Sequence, residues 1–310
     1  MMDSIKTLQV DHLVGLEVGT SVLLSEIGRG SMGIIFSAYQ RTLKRQIAVK
    51  ILPKSLLSAR GAEMFRNEAE SAAILSHPNI VTIHEVGETG DFLFLTMQFV
   101  KGRAVSEYIK MARRNVVPSR RFLPLKTTIE IVTNVLDALD YAHGQYIIHR
   151  DIKPANVLIE SHTKRPIITD FGLAKVFRGL GQESPFIQGT PVYMAPEQIE
   201  NSRVDGRADV YATGTMLFEM LVSHLPLPEC ASVEEFLRMK LELKDRLFQK
   251  RPIEMNPMVD EEMDEIVRKA ISYDPENRYA TCREFLESLE AYPDHNLRKR
   301  DNGKKWLTRN

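Results

Sequence analysis

Cysteine is scarce in this chain, and the two that occur, Cys230 and Cys282, are too few and too far apart for a disulfide framework or a zinc site. A reduced compartment fits. No apolar run approaches the roughly 18 to 20 residues that cross a bilayer. The start, Met1 to Thr20, carries Asp3, Asp11 and Glu17 where a secretory leader would place a basic and then an apolar stretch. The chain therefore reads as cytoplasmic, with no membrane segment. Neither sign of charge is in excess: Lys plus Arg number 41 and Asp plus Glu number 41, so the basic field that accompanies nucleic-acid binding is missing. No internal repeat is found. The remainder is ordinary for a folded globular protein, 43% apolar and 26% charged over 310 residues, enough for a large core and two folded parts.

The first hundred residues read mostly as strands. Ser21 to Ile27, Ile34 to Tyr39, Gln46 to Leu52, Ile80 to Val86 and Phe92 to Gln98 are short β-branched or aromatic runs bounded by turn residues. One helix, from about Ala62 to Ser76, interrupts them. Beyond Val100 the period becomes helical: Ile129, Val132, Leu136 and Leu139 recur in Leu125 to His143, and Arg207 to Val222 is apolar nearly all round, as a buried central helix is. The fold class is α+β, a strand-rich lobe before a helix-rich one, joined at Gln98 to Gly102 with the substrate cleft between them. The expected parts are an extension over 1–20, the first lobe over 21–100, the second over 101–292 and a basic, mobile tail over 293–310 that carries Arg298, Lys299, Arg300, Lys304, Lys305 and Arg309.

Two clusters carry the chemistry. His149-Arg150-Asp151-Ile152-Lys153-Pro154-Ala155-Asn156 is followed at a short distance by Asp170-Phe171-Gly172. Together they supply an acid to orient a hydroxyl, a cation for a moving phosphate and two oxygen ligands for magnesium. Pro154 stops the first cluster from continuing as a helix, so its side chains are displayed from a loop that enters the short strand Val157-Leu158-Ile159. An Asp or Asn that merely caps a turn is common for any one such residue, but it leaves the joint spacing unexplained. Upstream, Gly28-Arg29-Gly30-Ser31-Met32-Gly33 is a weak signal alone, since dinucleotide folds share it. Here it runs into a strand rather than a helix, which favours a hairpin closing over phosphates. Lys50 lies in the apolar strand Ile47 to Leu52, where an ammonium is costly unless paired. Glu68, on the apolar face of its helix with no basic residue three or four positions away, is the expected partner.

In this order, with Ile47-Ala48-Val49-Lys50 and Ala195-Pro196-Glu197, the set resembles the eukaryotic-type (Hanks-type) serine/threonine protein kinases. Ile152-Lys153-Pro154-Ala155-Asn156 and Ala195-Pro196-Glu197-Gln198 look most like bacterial members. The resemblance covers about residues 21 to 292 and implies the bilobal protein-kinase fold, a small antiparallel-sheet N-lobe with one helix and a larger, mostly helical C-lobe. It implies ATP with Mg²⁺ or Mn²⁺, and protein substrates carrying serine or threonine. Asp151, Lys153, Lys50 and Glu68 would be catalytic, and Asn156 and Asp170 would hold the metal. Gly28, Gly30, Gly33, Ile35, Ala48, Lys50, Met97, Gln98, Val100 and Leu158 would contact the nucleotide, with Ile35 and Leu158 on either side of adenine. It also implies that Asp209 anchors the backbone of the catalytic loop, that Glu197 pairs with Arg278, and that Phe171 packs between the lobes. The stretch Gly189 to Glu197 would seat a polypeptide substrate, and Lys153 with Thr190 follows the serine/threonine branch. A chain ending before any membrane anchor reads as a stand-alone kinase or an excised domain.

Two other classes stay open. A pseudokinase scaffold would keep the fold but usually lose Lys50, Asp151 or Asp170, all of which are present. An interaction module could use Lys110, Arg113, Arg114, Arg120, Arg121 and Lys126, which come without one Asp or Glu between Lys110 and Lys126. That stretch reads first as a solvated loop, and second as a dock for an acidic partner or phosphate. Control departs from the family's usual pattern: between Leu173 and Gln188 the one hydroxyl is Ser184. Either Ser184 is the sole activation-loop switch, or the loop is ordered by other contacts such as self-association for autophosphorylation.

Overall fold

Short β-branched and aromatic runs and well-placed turns build the first unit as an antiparallel sheet of β1 (Glu17–Val18), β2 (Ser21–Gly30), β3 (Gly33–Gln40), β4 (Arg45–Pro53), β5 (Ile83–Thr89) and β6 (Phe92–Gln98), in the order β1-β2-β3-β4-β6-β5. The computed structural model describes residues 12–30, 33–171, 191–200 and 202–293. The segment 172–190 with Ser184, the first eleven residues and the basic tail from 294 onward lie outside them. Strand β4 is central, and from Ile47 to Pro53 every residue is buried, as expected of a strand covered on both faces.

Helix α1 (Ala59–Ala73) packs against β5. It starts three residues before the expected Ala62 because Ser58 Oγ accepts the Gly61 N–H at 3.1 Å and caps it. Its buried stripe is Phe65, Ala69 and Ala72. Strand β5 is likewise displaced from the expected Ile80–Val86. Ile80 and Val81 are buried but precede the strand, and the turn at Gly90 (φ +48) fixes a register from Thr89↔Phe92 to Ile83↔Met97. Register follows the turn, not the apolar run.

The second unit holds residues 102–169 and, among the described residues, 191–293, whereas Asp170 and Phe171 belong with the first. Its helices are α2 (Val105–Arg113), α3 (Leu125–Gly144), α4 (Arg207–Val222), α5 (Val233–Leu243), α6 (Glu261–Ala270) and α7 (Cys282–Glu290), with short turns between. Helix α4 is buried along almost its whole length and packs on α3, α6 and α7. At Gly214 a Cβ would sit 2.6 Å from Ala270 Cβ, so the glycine sets how closely α4 and α6 approach. Ser232, Asp260 and Thr281 cap α5, α6 and α7 with their side-chain oxygens. A small antiparallel sheet of β7 (Gly102–Ala104), β8 (Val157–Glu160) and β9 (Pro166–Ile168) carries the loop expected to do the chemistry; of its strands only the middle one was legible beforehand. Among the described residues no helix is long and apolar enough to cross a membrane.

Candidate active site

Strand register gathers several nominated residues of the first unit on one sheet face. Ile35 stands opposite Lys50, Lys50 opposite Leu95, and Ala48 opposite Met97. Directly paired residues and those two apart share a face, so Ile35, Ala48, Lys50 and Met97 lie together. Gln98 falls on the alternate side, and its N–H is bonded to Thr82 O at 2.8 Å. Val100 lies beyond the strand, half-buried.

The glycine loop is a β2–β3 hairpin that closes with Gly30 paired to Gly33. Gly33 has φ +135, and a Cβ there would meet Ile51 O at 2.5 Å, so only glycine fits. Gly28 pairs with Ile35 just after a register shift, which leaves it on the hairpin's approach to the tip.

Lys50 is 4% exposed, and its ammonium is held by Asp170 Oδ1 at 2.7 Å rather than by the expected Glu68. Glu68 is half-buried beside the stripe of α1. Asp170 has left-handed backbone, φ +64. That conformation brings its carboxylate to β4, and a desolvated ammonium takes the anion that reaches it. Phe171 packs inside the first unit, in a small apolar pocket with Ala69 and Ala72 of α1, Ile83, Leu95 and Met97.

In the second unit Asp151, Lys153 and Asn156 converge. Lys153 Nζ lies 2.6 Å from Asp151 Oδ2. Asn156 Nδ2 donates to the same oxygen at 3.0 Å and to Asp151 O at 2.9 Å. Both Asn156 amide protons are thereby spent, and neither its Oδ1 nor Asp151 Oδ1 accepts a hydrogen bond among the described residues. Leu158 follows on β8, half-buried.

Asp209 of α4 holds this loop from below, as expected. Its carboxylate accepts the N–H of His149 at 2.9 Å and of Arg150 at 2.8 Å, and contacts His143 Nε2 at 2.8 Å. Burial pushes this carboxyl up, but the bond from His143 and the nearby imidazoles and loop N–H outweigh it and hold it below the usual range. The two bonds also secure Arg150 at φ +66, a conformation costing about 1 to 3 kcal/mol without such support. His149 Nε2 reaches Thr169 O at 2.9 Å, tying the loop to the end of β9.

The Glu197–Arg278 pair is present and buried. All five guanidinium N–H groups are used: Nε on Ser272 O, Nη1 on Glu197 Oε1 and Arg207 O, Nη2 on Glu197 Oε2 and Tyr273 O, at 2.7 to 3.0 Å. Sequence reasoning missed Lys240. It is 1% exposed, sits over the Tyr211 ring at 4.6 Å and donates to Val192 O at 2.7 Å. Burial, with Arg278 nearby, drives its ammonium well below the usual lysine range. The signal existed: Lys240 stands one helical turn after buried Phe236 on α5, on the apolar side.

Among the described residues no three His, Cys, Asp or Glu side chains cluster to hold a metal. Asn156 Oδ1, which accepts no hydrogen bond among the described residues, is an oxygen of the kind a hard cation takes.

Comparison with known proteins agrees with this architecture. Residues 21–289 match the family profile described as the protein kinase domain. The serine/threonine-protein kinase pkn3 of Myxococcus xanthus is 31% identical over 96% of this chain and 54% of its own length. The tyrosine-protein kinase MasK of Myxococcus xanthus (strain DK1622) is 32% identical over 90% of the chain and 44% of its length. The chain thus spans about half of these curated relatives. The crystal structure of the Mycobacterium tuberculosis PknI kinase domain is 25% identical, covers 89% of this chain and 98% of that one, and superposes with a TM-score of 0.67.

Proposed function

Since the chain belongs to the protein kinase domain family, we propose that it transfers the γ-phosphate of ATP to serine or threonine hydroxyls of proteins. The observation that carries the reading is the Asp151–Lys153–Asn156 cluster, held from beneath by Asp209. Asp151 Oδ1 is the acceptor for the substrate hydroxyl, and Lys153, 2.6 Å from the other carboxylate oxygen, offers its charge to the phosphate in transit. Lys50 supplies a second cation for the phosphates, over which the Gly28–Gly33 hairpin folds its N–H groups. Asn156 through Oδ1 and Asp170 through its carboxylate are the residues that would hold Mg²⁺ or Mn²⁺. When bound, the ion offsets the charge of the phosphate oxygens.

The choice of serine or threonine rests on Lys153 and on relatives such as pkn3. The tyrosine kinase among the relatives makes phosphoamino-acid analysis the proper test. Purified chain with radiolabelled ATP and either metal should label itself and generic basic proteins on serine or threonine. Asp151→Asn should lower turnover by roughly 10² to 10⁴ with nucleotide affinity retained. No transfer under either metal would leave the scaffold reading standing, and label on tyrosine alone would overturn the substrate class. Self-association is part of the proposal for autophosphorylation, and a labelling rate that rises with protein concentration tests it.

A further inference from the structure

The stretch from the end of α2 to the start of α3 is unlike the rest of the surface. Lys110, Arg113, Arg114, Arg120, Arg121 and Lys126 are all exposed, and no acid separates them in a chain whose total charge is zero. Elsewhere several exposed or half-exposed arginines have carboxylates, Arg29 with Glu26, Arg41 with Glu17, Arg66 with Glu88 and Arg283 with Asp137, and the exposed ones without an ion pair among the described residues, such as Arg60, Arg203, Arg246 and Arg268, are scattered along the chain rather than clustered. None of the six cations has an ion-pair partner among the described residues. Of the acids that bracket the stretch, Glu107 binds the Ala104 N–H at the start of α2, and Glu130, one turn after Lys126 on α3, is the nearest acid on the other side.

This is a folded surface rather than a loose tail. Asn115 Oδ1 accepts the Val117 N–H at 3.0 Å, Arg121 Nε donates to Asn115 O at 3.1 Å, and Ser223 Oγ at the end of α4 donates to Arg121 O. The turn presents Val116, 87% exposed, between two arginine pairs. A guanidinium fork matches the two oxygens of a carboxylate, as it does those of a phosphate, and Arg121 is held ready by its bond to Asn115 O. Within the same unit the cationic face adjoins the 191–193 turn: Lys110 and Arg113 act on half-buried Glu219, whose carboxylate receives the Tyr193 hydroxyl. Glu219 offsets at most one of the six positive charges.

We propose that this face docks a carboxylate-rich segment of the protein substrate, away from the hydroxyl that receives phosphate, with Val116 and Val117 giving a short apolar contact between the arginine pairs. The proposal deepens the kinase reading and rests on it for the word substrate, while the binding it asserts can be measured without turnover.

The test compares one serine peptide with a six-glutamate tail and the same peptide with a six-glutamine tail. Wild-type chain should show a KM about tenfold lower for the glutamate tail, since several exposed ion pairs each contribute modestly, and the preference should fade in high salt. The variant Arg113→Gln/Arg114→Gln/Arg120→Gln/Arg121→Gln should lose the preference but keep the rate on the glutamine-tailed peptide and the KM for ATP. Arg113→Gln/Arg114→Gln, which leaves the Arg121–Asn115 bond in place, should lose about half of it on a logarithmic scale. Equal KM for both tails in wild type, or a preference that survives the fourfold change, overturns the proposal. So does binding of wild type to vesicles of phosphatidylserine and phosphatidylcholine without any tail preference, which would assign the face to a membrane surface. If neither peptide is phosphorylated the kinase reading fails instead. Fluorescence binding of the labelled glutamate peptide, tighter to wild type than to the fourfold variant, then decides the docking by itself.

Discussion

Removing Arg278 from its pocket is a demanding test of the second unit's energetics. Its side chain is fully buried, its five donors are all bonded, and its guanidinium carbon lies 4.9 Å from the centre of the Tyr211 ring. Arg278→Met keeps the apolar stem but strands the Glu197 carboxylate, 7% exposed, and three main-chain carbonyls. Breaking a buried pair from one side costs about 3 to 5 kcal/mol, chiefly for the charge left behind. At roughly 2 °C per kcal/mol for a chain of this size, the unit should melt about 6 to 10 °C lower by scanning calorimetry. Glu197→Gln added to Arg278→Met should recover part of the loss, because the stranded charge is gone, so the two changes should be strongly non-additive. Arg278→Lys should fall between, having fewer donors and no planar fork. A shift under about 2 °C for Arg278→Met, or strict additivity in the double variant, would refute the reasoning.

Other outcomes follow from single groups. The Asp209 carboxyl has a folded-state pKa below its unfolded value, so its stabilisation is complete above the unfolded value near 3.8 and lost as pH falls through the folded one. Urea midpoints between pH 5 and 2 should therefore fall more steeply for wild type than for Asp209→Asn. Lys240 is the opposite case, a base whose folded pKa is depressed by burial. The unfolded chain binds the extra proton, so stability should rise with pH toward the ordinary lysine range in wild type and less so in Lys240→Met, read by thermal melts between pH 7 and 10. Lys50→Met and Asp170→Asn should be non-additive in thermal stability of the nucleotide-free chain, since each removes the other's partner at 2.7 Å.

What the sequence made legible was whatever is encoded in short spacing. The β-branched and aromatic runs at 34–39 and 92–98, the all-round apolar helix at 207–222 and the joint spacing of Asp151, Lys153 and Asn156 were each readable because one element or one loop contains the whole signal. Features that depend on two distant segments were not. The start of α1 turned on a Ser58 cap that competes with apolar period, and β5 slid to the register its hairpin turn imposed. The ion partner of Lys50 could be argued only from helix face, which selects Glu68, while a backbone φ of +64 at Asp170 selects Asp170 instead. The strands β7 and β9 are three residues each, too short for any period.

The placement of Asp170 in the first unit has a temporal consequence for a chain made from its N-terminus. Lys50 and its anion are 120 positions apart, so at the usual pace of about 5 to 20 residues per second roughly 6 to 24 s separate their synthesis. Throughout that interval β4 already carries the ammonium on a strand otherwise ready to be covered. Until Asp170 emerges the nascent sheet must leave that face of β4 wet. For the same reason a gene fragment stopping at Lys101 encodes all six strands of the sheet but not its counter-charge, and would hold its central strand less tightly than the whole chain does.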